Sequence, residues 1–492
     1  MTANTKVNSN IKTGWEMVLG LEIHVRLDTD SKLFSGMKAS YGAEPNSQVS
    51  FVDAALPGML PVFNSKALDY AIRFGLSVDA EIAPVTIFAR KNYFYPDSPK
   101  GYQISQMDHP IVGKGQIEIA VDAGDESYRK IVDITRAHLE EDAGKSIHDK
   151  YDKLTAIDLN RAGIPLIEVV SEPQMCSAKE AVAYMKAIYT RVTHLGICDG
   201  NLQEGSFRCD ANVSVRKIGQ EALGTRAEIK NLNSFRFIEK AINFEAKRQI
   251  KLIEAGGEVV QETRLYDADK DETRSMRSKE NANDYRYFPD PDLLPIEVTA
   301  NMIEAQRALL PEFPEAKVAR YTGEWGIKAD DAEIIAFDQN MSSYFEQAQA
   351  ITTAKPDLNA KFLLGEYAAL LNSMEAKVQN SSISVEHYAG LLDELAKGSI
   401  SRKIAKQVVE IMWQSGDTAA VIIDSQGLAQ ISDASALEAL VDEVMANNPS
   451  QVDSYRSGNE KMFNFFVGQI MKQTKGQANP VQTKELLEEK LK

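Results

Sequence analysis

Residues 17–27 read Met-Val-Leu-Gly-Leu-Glu-Ile-His-Val-Arg-Leu, and their alternation sets the fold class. At a period of two, Met17, Leu19, Leu21, Ile23, Val25 and Leu27 share one face of a strand. Glu22, His24 and Arg26 share the other. The pattern recurs in Ser206–Arg216, where Phe207, Cys209, Ala211, Val213 and Val215 oppose Arg208, Asp210, Asn212, Ser214 and Arg216. It recurs again from Arg136, where His138 and Glu140 alternate with Ala137 and Leu139, and Glu141 follows as the chain approaches Gly144.

Two readings fit these faces. In one, they are antiparallel strands with a core side and a solvated side. In the other, the strands are neighbours and their carboxylates converge, which like charges resist unless a cation or an arginine sits among them. Glu and Asp oxygens suit Mg²⁺ or Mn²⁺, and a histidine tilts the set toward Mn²⁺ or tolerance of both. Spacing within a strand does not say which strands pair.

Outward from these strands, residues 15–300 mix alternation with two helices. Ser177-Ala-Lys-Glu180 is a capping box, followed at helical spacing by Val182, Met185, Ile188, Tyr189, Val192 and Leu195, with Gly196 as the stop. A second helix runs from about Ser234 to Gly256-Gly257. Beyond Pro295 the pattern is helical, with breaks at Thr352–Pro356 and Gly398–Ser401. The class is therefore α+β, an antiparallel-sheet domain over 15–300 followed by helical segments over 301–345 and 346–492. Residues 1–14 are expected to be disordered.

Composition narrows the function classes. The chain has 492 residues, 55 basic and 71 acidic, for a net charge of −16. Residues 301–492 carry 18 basic and 27 acidic side chains, so neither half is a basic nucleic-acid module, though a local patch can still hold a folded RNA. The polar first 13 residues lack the apolar run of a signal peptide, and no stretch is long and apolar enough for a membrane span. Cys176, Cys198 and Cys209 form no Cys-x-x-Cys pair, which indicates neither a disulfide framework nor a cysteine zinc site. A cytosolic setting is expected.

Asp-Ala-Gly-Lys-Ser at 142–146 imitates the end of a P-loop, but Leu139 stands where the motif needs glycine. A nucleotide would instead be held by a metal and by cations such as Lys91, Lys100, Arg208 or Arg216. The loop Lys91–Gly101, with Tyr93, Phe94 and Tyr95, could stack a base or the 3′ end of an RNA, or its tyrosines could pin the loop. Residues 261–291 gather Arg264, Lys270, Arg274, Arg277, Lys279 and Arg286 with interleaved acids. They read either as a charge-rich connection or as a clamp for phosphate or carboxylate.

Six runs, taken together, resemble the B-subunit family of tRNA-dependent aspartyl/glutamyl amidotransferases: Leu21–Leu27, Lys91–Asp97, His138–Lys145, Asn160–Glu168, Gln203–Asn212 and Asp284–Asp292. In the tail, Val467–Pro480 is similar to the end of that family's tRNA-binding domain. The resemblance implies a cradle domain similar to the catalytic fold of glutamine synthetase and guanido kinases, followed by a helical connector and a tRNA-holding tail in which Lys472, Lys475 and Gln477 are candidates. It implies ATP-dependent phosphorylation of the side-chain carboxylate of Glu-tRNA(Gln) or Asp-tRNA(Asn). Ammonia from a glutaminase/amidase partner, the A subunit, would then displace the phosphate, with a small C subunit completing a heterotrimer. It further implies Mg²⁺ on Glu22, His24, Glu140, Glu141 and Asp210, Glu140, Asp210 and Arg208 as catalytic groups, and Lys91, Ser206 and Arg208 at the nucleotide. Some relatives carry paired cysteines as a zinc site where Tyr41–Gly58 has none, so no zinc is expected.

Two other function classes compete. A non-catalytic adaptor that only presents tRNA would not need the carboxylate–histidine faces. A free-standing glutamine-synthetase-like ligase acting on a small molecule would not need the helical tail.

Overall fold

The strand read from residues 17–27 lies inside an eight-stranded sheet in the computed structural model, which describes residues 12, 14–122, 127–232, 234–278, 284–430, 434–474 and 477–491. The expectation for residues 1–14 falls almost wholly outside these. In chain order the strands are β1 (Trp15–Arg26), β2 (Gly115–Asp122), β3 (Ser127–Glu141), β4 (Pro165–Ser171), β5 (Phe207–Lys217), β6 (Ala227–Leu232), β7 (Glu262–Asp267) and β8 (Glu272–Ser278). Their order in the sheet is β8-β7-β6-β5-β1-β4-β3-β2.

The expected antiparallel sheet needs one correction. Six of its pairings are antiparallel, but β6 and β7 run parallel. The reason is covalent: a helix, α3 (Phe235–Glu254), joins them, and a helical crossover returns the chain in the same direction. The class is α+β with a mixed sheet.

Helix α1 (Ser65–Ser77) packs beside α2 (Ala178–His194), and α2 and α3 cover the apolar side. Met17, Leu19, Leu21, Ile23 and Val25 of β1 are buried there, as are Phe207, Cys209, Ala211 and Val213 of β5. Tyr189 of α2 meets Phe207 edge-on at 5.4 Å, and Gln249 of α3 donates to the Val213 carbonyl. Each such large aliphatic side chain contributes about 1.5–3 kcal/mol on burial, which fixes the register that places the polar side. The Ser177 hydroxyl accepts from the Glu180 amide, as the box requires. The Glu180 carboxylate, however, reaches past Ser177 to the Cys176 amide, Lys130 and the Tyr128 hydroxyl. Ser234 caps α3 through the Phe237 amide.

The chain divides into two compact units, residues 1–311 and 312–492. Within the second, helices stop at Ile351 and Ala396 and restart at Pro356 and Arg402, at the two sequence breaks. One core gathers Tyr344, Phe345, Phe362, Tyr367 and Tyr388, and a second gathers Leu437, Val441, Phe466, Ile470 and Leu487. Lys472 lies in the last turn of the helix Lys461–Gln473, and the Gln477 side chain donates to the Gly427 carbonyl. Lys475 lies outside the described residues. No described helix is long and apolar enough to cross a membrane.

Candidate functional site

Strand pairing lines up side chains from four strands in one transverse row. His138 of β3 lies opposite Glu168 of β4, Glu168 opposite His24 of β1, and His24 opposite Arg208 of β5. Two residues along, Glu22 lies opposite Asp210, and Asn212 lies opposite Glu228 of β6. Directly opposed residues share a sheet face, so all of these project from the side that α2 and α3 leave free.

Two trios of ligand-type groups result, each with donor atoms within 4.8 Å of one another: His24, Glu140 and Glu168, and Glu22, Asp210 and Glu228. His24 Nε2 lies 3.3 Å from Glu168 Oε2 and 3.6 Å from Glu140 Oε1. His138 Nε2 lies 3.4 Å from Glu168 Oε2 and 3.8 Å from Glu140 Oε2. In the second trio, Asn212 donates to Glu22 at 2.9 Å, and Lys230 Nζ stands 2.6 Å from Asp210 and 3.0 Å from Glu228.

The electrostatics show how short of positive charge this face is. Burial and the neighbouring Glu168 push the Glu22 carboxyl up, against the Asn212 hydrogen bond. Burial disfavours charge on His24, but Glu168, Glu140 and Asp210 outweigh it and raise the imidazole to about 9. Burial likewise disfavours the Glu168 carboxylate, yet His138 and His24 hold it well below the usual range. Oxygen-rich sets with one imidazole suit a hard divalent cation, and the raised His24 and Glu22 mark where positive charge is wanted. Mg²⁺ or Mn²⁺ fits these residues.

The residues singled out in the sequence are not all together. Glu22 and Asp210 join one trio, and His24 and Glu140 join the other. Glu141 joins neither. Strand β3 continues through Glu141 instead of turning before it, so the pleat sends its carboxylate to the opposite face. There it accepts from the Ile104 amide at 2.8 Å and pairs with Lys100. The Arg208 Nη2 donates to Asp142 at 3.0 Å, and Asp142 is the main cause of its raised pKa. Arg208 Nε is buried without a hydrogen-bond partner among the described residues. Lys91 sits 5.0 Å from the Tyr285 ring centroid; burial disfavours its ammonium, and Glu140 leads the groups that outweigh burial and raise it. Ser206 precedes β5 with its amide and carbonyl tied to Asn201 and Arg26. Its hydroxyl is buried and has no hydrogen-bond partner among the described residues.

Sequence reasoning passed over Glu168 and Glu228. A single carboxylate in the apolar run Pro165–Val170 was the signal for the first, because an unpaired buried charge is expensive. For Glu228, the alternation of Glu228 and Lys230 against Ala227 and Ile229 was the signal. The arginines of 261–291 do not form one clamp among the described residues. Arg264 pairs with Glu262 and Glu245, Arg274 with Asp267 and Glu272, and Arg286 with Asp284. Lys279 and the Arg277 side chain lie outside the described residues.

Beside the trios opens a cleft of about 710 Å³, within the usual range for small-molecule sites. His24, Asp210, Arg208 and Lys230 line one part of it, and Arg26, Asp142, Lys145, Asp158 and Arg161 are among the residues that line the rest. Five cations, Arg26, Lys145, Arg161, Arg208 and Lys230, beside two carboxylate trios suit a polyanion whose charge could be shared with a metal.

Residues 17–304 match the model of the GatB/GatE catalytic domain, and residues 343–491 match that of the GatB domain. The chain is 55% identical over 477 residues to the aspartyl/glutamyl-tRNA(Asn/Gln) amidotransferase B subunit of Thioalkalivibrio sulfidiphilus, covering 97% of this chain and 99% of that one. It is 56% identical over 482 residues to the protein of the same name from Ectopseudomonas mendocina, and 56% over 488 residues to that from Burkholderia lata, each with 97% and 99% coverage. With the fold, the two trios and both halves of the chain accounted for, the protein belongs to the family of aspartyl/glutamyl-tRNA(Asn/Gln) amidotransferase B subunits.

Proposed function

We propose that the chain is the ATP-using component of a tRNA-dependent amidotransferase, converting Glu-tRNA(Gln), Asp-tRNA(Asn) or both to the amide form. The observation that carries this reading is the pair of carboxylate trios set beside a cleft lined by Arg208, Lys230, Arg161 and Lys145. A free carboxylate is a poor acyl donor. Attack of its oxygen on the γ-phosphorus of ATP gives an acyl phosphate and ADP. Ammonia then adds to the acyl carbon, inorganic phosphate leaves, and the ammonium loses a proton to give the amide.

Phosphoryl transfer is catalysed mostly by positioning and charge neutralisation. In this reading His24, Glu140 and Glu168, with Glu22, Asp210 and Glu228, would hold Mg²⁺ or Mn²⁺, which would supply charge neutralisation at the phosphates. Arg208, steadied by Asp142, directs its remaining N–H groups toward the transferring phosphate. Lys230 links Asp210 to Glu228 and offsets part of their charge. Ser206 and Glu141 hold structural positions in this scheme, and Lys91 acts from the Glu140 side rather than in the cleft.

The reading extends to the whole chain. Residues 15–300 form the cradle similar to that of glutamine synthetase, 301–345 connect, and 346–492 hold tRNA. A glutaminase/amidase A subunit supplies ammonia, a small C subunit completes the heterotrimer, and the setting is the cytoplasm. The adaptor reading leaves the cost of so many half-buried charges unexplained.

The test incubates the complex with labelled ATP, Mg²⁺ and Glu-tRNA(Gln) without an ammonia donor. ADP should form only with the aminoacyl-tRNA, and Asp210→Ala or Glu140→Ala should abolish it while tRNA binding survives. Unchanged ADP formation in both variants would remove the metal assignment. Equal activation of free glutamate would favour a small-molecule ligase.

A further inference from the structure

Two segments on the β3 side of the trios carry a chain of aromatic rings from solvent toward the carboxylates. Phe94 is 88% exposed and Tyr95 is 54% exposed. Tyr95 contacts Tyr93 at 6.2 Å between centroids, Tyr93 contacts Tyr285 at 6.4 Å, and Tyr285 contacts Tyr287 at 6.0 Å. Lys91 stands over Tyr285. The inner end is within electrostatic reach of the site: burial raises the Tyr287 hydroxyl, Lys91 opposes this, and Glu140 and Glu168 add to it.

Pinning the loop does not require these exposed rings. The Asn92 amide donates to the Tyr285 carbonyl at 3.0 Å, and its side chain donates to the Arg286 carbonyl at 2.9 Å. Those bonds join the two segments already. Phe94 leans on Gly101, where an added Cβ would come within 3.1 Å of its ring, and the rest of the ring stays in water. Exposed aromatics interleaved with cations are how proteins bind unpaired nucleobases, since every base offers a face to stack.

We infer that Phe94 and Tyr95, backed by Tyr93 and Tyr285, form a stacking platform for the unpaired 3′-terminal base of the aminoacyl-tRNA. This deepens the proposed function and rests on it. The same chemistry would accept the adenine of ATP, but two of the cations suited to a triphosphate, Arg208 and Lys230, line the cleft from β5 and β6, across β1 and β4 from the β3 side where the rings lie. An acyl group attached to the 3′ end must reach Glu140 and Glu168, which is where the ring chain leads. Arg286, with its side chain exposed beside Asp284, is placed to meet a backbone phosphate.

The experiment places 2-aminopurine at the 3′ terminus of the tRNA and follows its fluorescence on binding to the full complex. The wild type should quench it. The double variant Phe94→Ala, Tyr95→Ala should lose most of the quenching and raise KM for aminoacyl-tRNA by about tenfold, the size expected for one lost stacking contact, with KM for ATP unchanged. Phe94→Trp should retain quenching. Removing the terminal nucleotide should weaken binding to the wild type but not to the double variant, a dependence that a merely structural role would not erase. Quenching that survives in the double variant overturns the platform. A rise in KM for ATP instead assigns the rings to the nucleotide, and loss of a partner protein with quenching intact assigns them to a protein contact; either result overturns it. A wild type without tRNA-dependent ADP formation defeats the underlying function, whatever the fluorescence does.

Discussion

His24 and His138 reach the same oxygen, Glu168 Oε2, from opposite sides, at 3.3 and 3.4 Å. They come from β1 and β3, and β4 lies between them in the sheet. Glu168 is thus the pivot of this row, placed to orient both imidazoles through one oxygen.

Glu168→Gln keeps the shape and removes the charge. We expect divalent-metal affinity and tRNA-dependent ADP formation each to fall by about 10–100-fold, the usual effect of losing a group that orients metal ligands. Isothermal titration with Mn²⁺ and the ADP assay read the two effects. Unchanged metal affinity would exclude Glu168 from the site.

Lys100 separates the roles of adjacent glutamates. Its ammonium pairs with Glu141 in a largely buried position, whereas Glu140 faces the His24 side. Removing one partner of a buried pair costs roughly 3–5 kcal/mol, because the other charge is stranded. Lys100→Met should therefore lower the unfolding midpoint of the first unit in urea and leave Mn²⁺ affinity within about twofold. If Mn²⁺ affinity fell instead, Glu141 would belong with the metal ligands after all.

How much of this was legible follows from the reach of each signal. Period-two alternation is local, so the shared face of Glu22 and His24 could be read directly from residues 17–27. Glu140 and Glu141 are adjacent, and only the strand's end decides which face each takes; an expected turn at Glu141 became a continued strand. The pairing of Glu22 with Asp210 joins segments far apart in sequence, and no local pattern sets that register. Glu168 was hidden because β4 is central and buried, so apolar residues occupy both faces and alternation vanishes. The parallel pairing of β6 and β7 was within reach: strand, helix, strand is itself the signal.

Gly163 offers a test of how the loop behind the cleft is held. Its φ is +83°, and an added Cβ would come within 2.9 Å of Asp53 Oδ1. Asp53 in turn holds the wholly buried Lys32 at 3.1 Å. The Gly163 amide donates to the Asp142 carbonyl, and Asp142 steadies Arg208. Gly163→Ala should cost about 1–3 kcal/mol from backbone strain, with a further loss from disturbing the Lys32–Asp53 pair. It should also lower the rate of ADP formation more than it lowers metal affinity. Wild-type stability in a urea titration would show that the loop absorbs the change.

The helical unit carries its own pH dependence through Glu346. Burial would raise its carboxyl, but hydrogen bonds from Arg320 and Tyr321 and the charge of Lys317 outweigh it and hold it below its ordinary 4.5. A group depressed in the folded state binds its proton more readily when unfolded. Its contribution is therefore complete above the unfolded value and is lost as pH falls through the folded one. Between about pH 5 and pH 3 the unit should lose stability, and part of that slope belongs to Glu346. Glu346→Gln should cost about 1.5–3 kcal/mol at neutral pH, typical of hydrogen bonds to a charged group, and the gap from wild type should shrink as the pH is lowered. Thermal melts of both proteins across that range decide it: a gap that stays constant with pH would mean that the Glu346 charge does not stabilise the helices it joins.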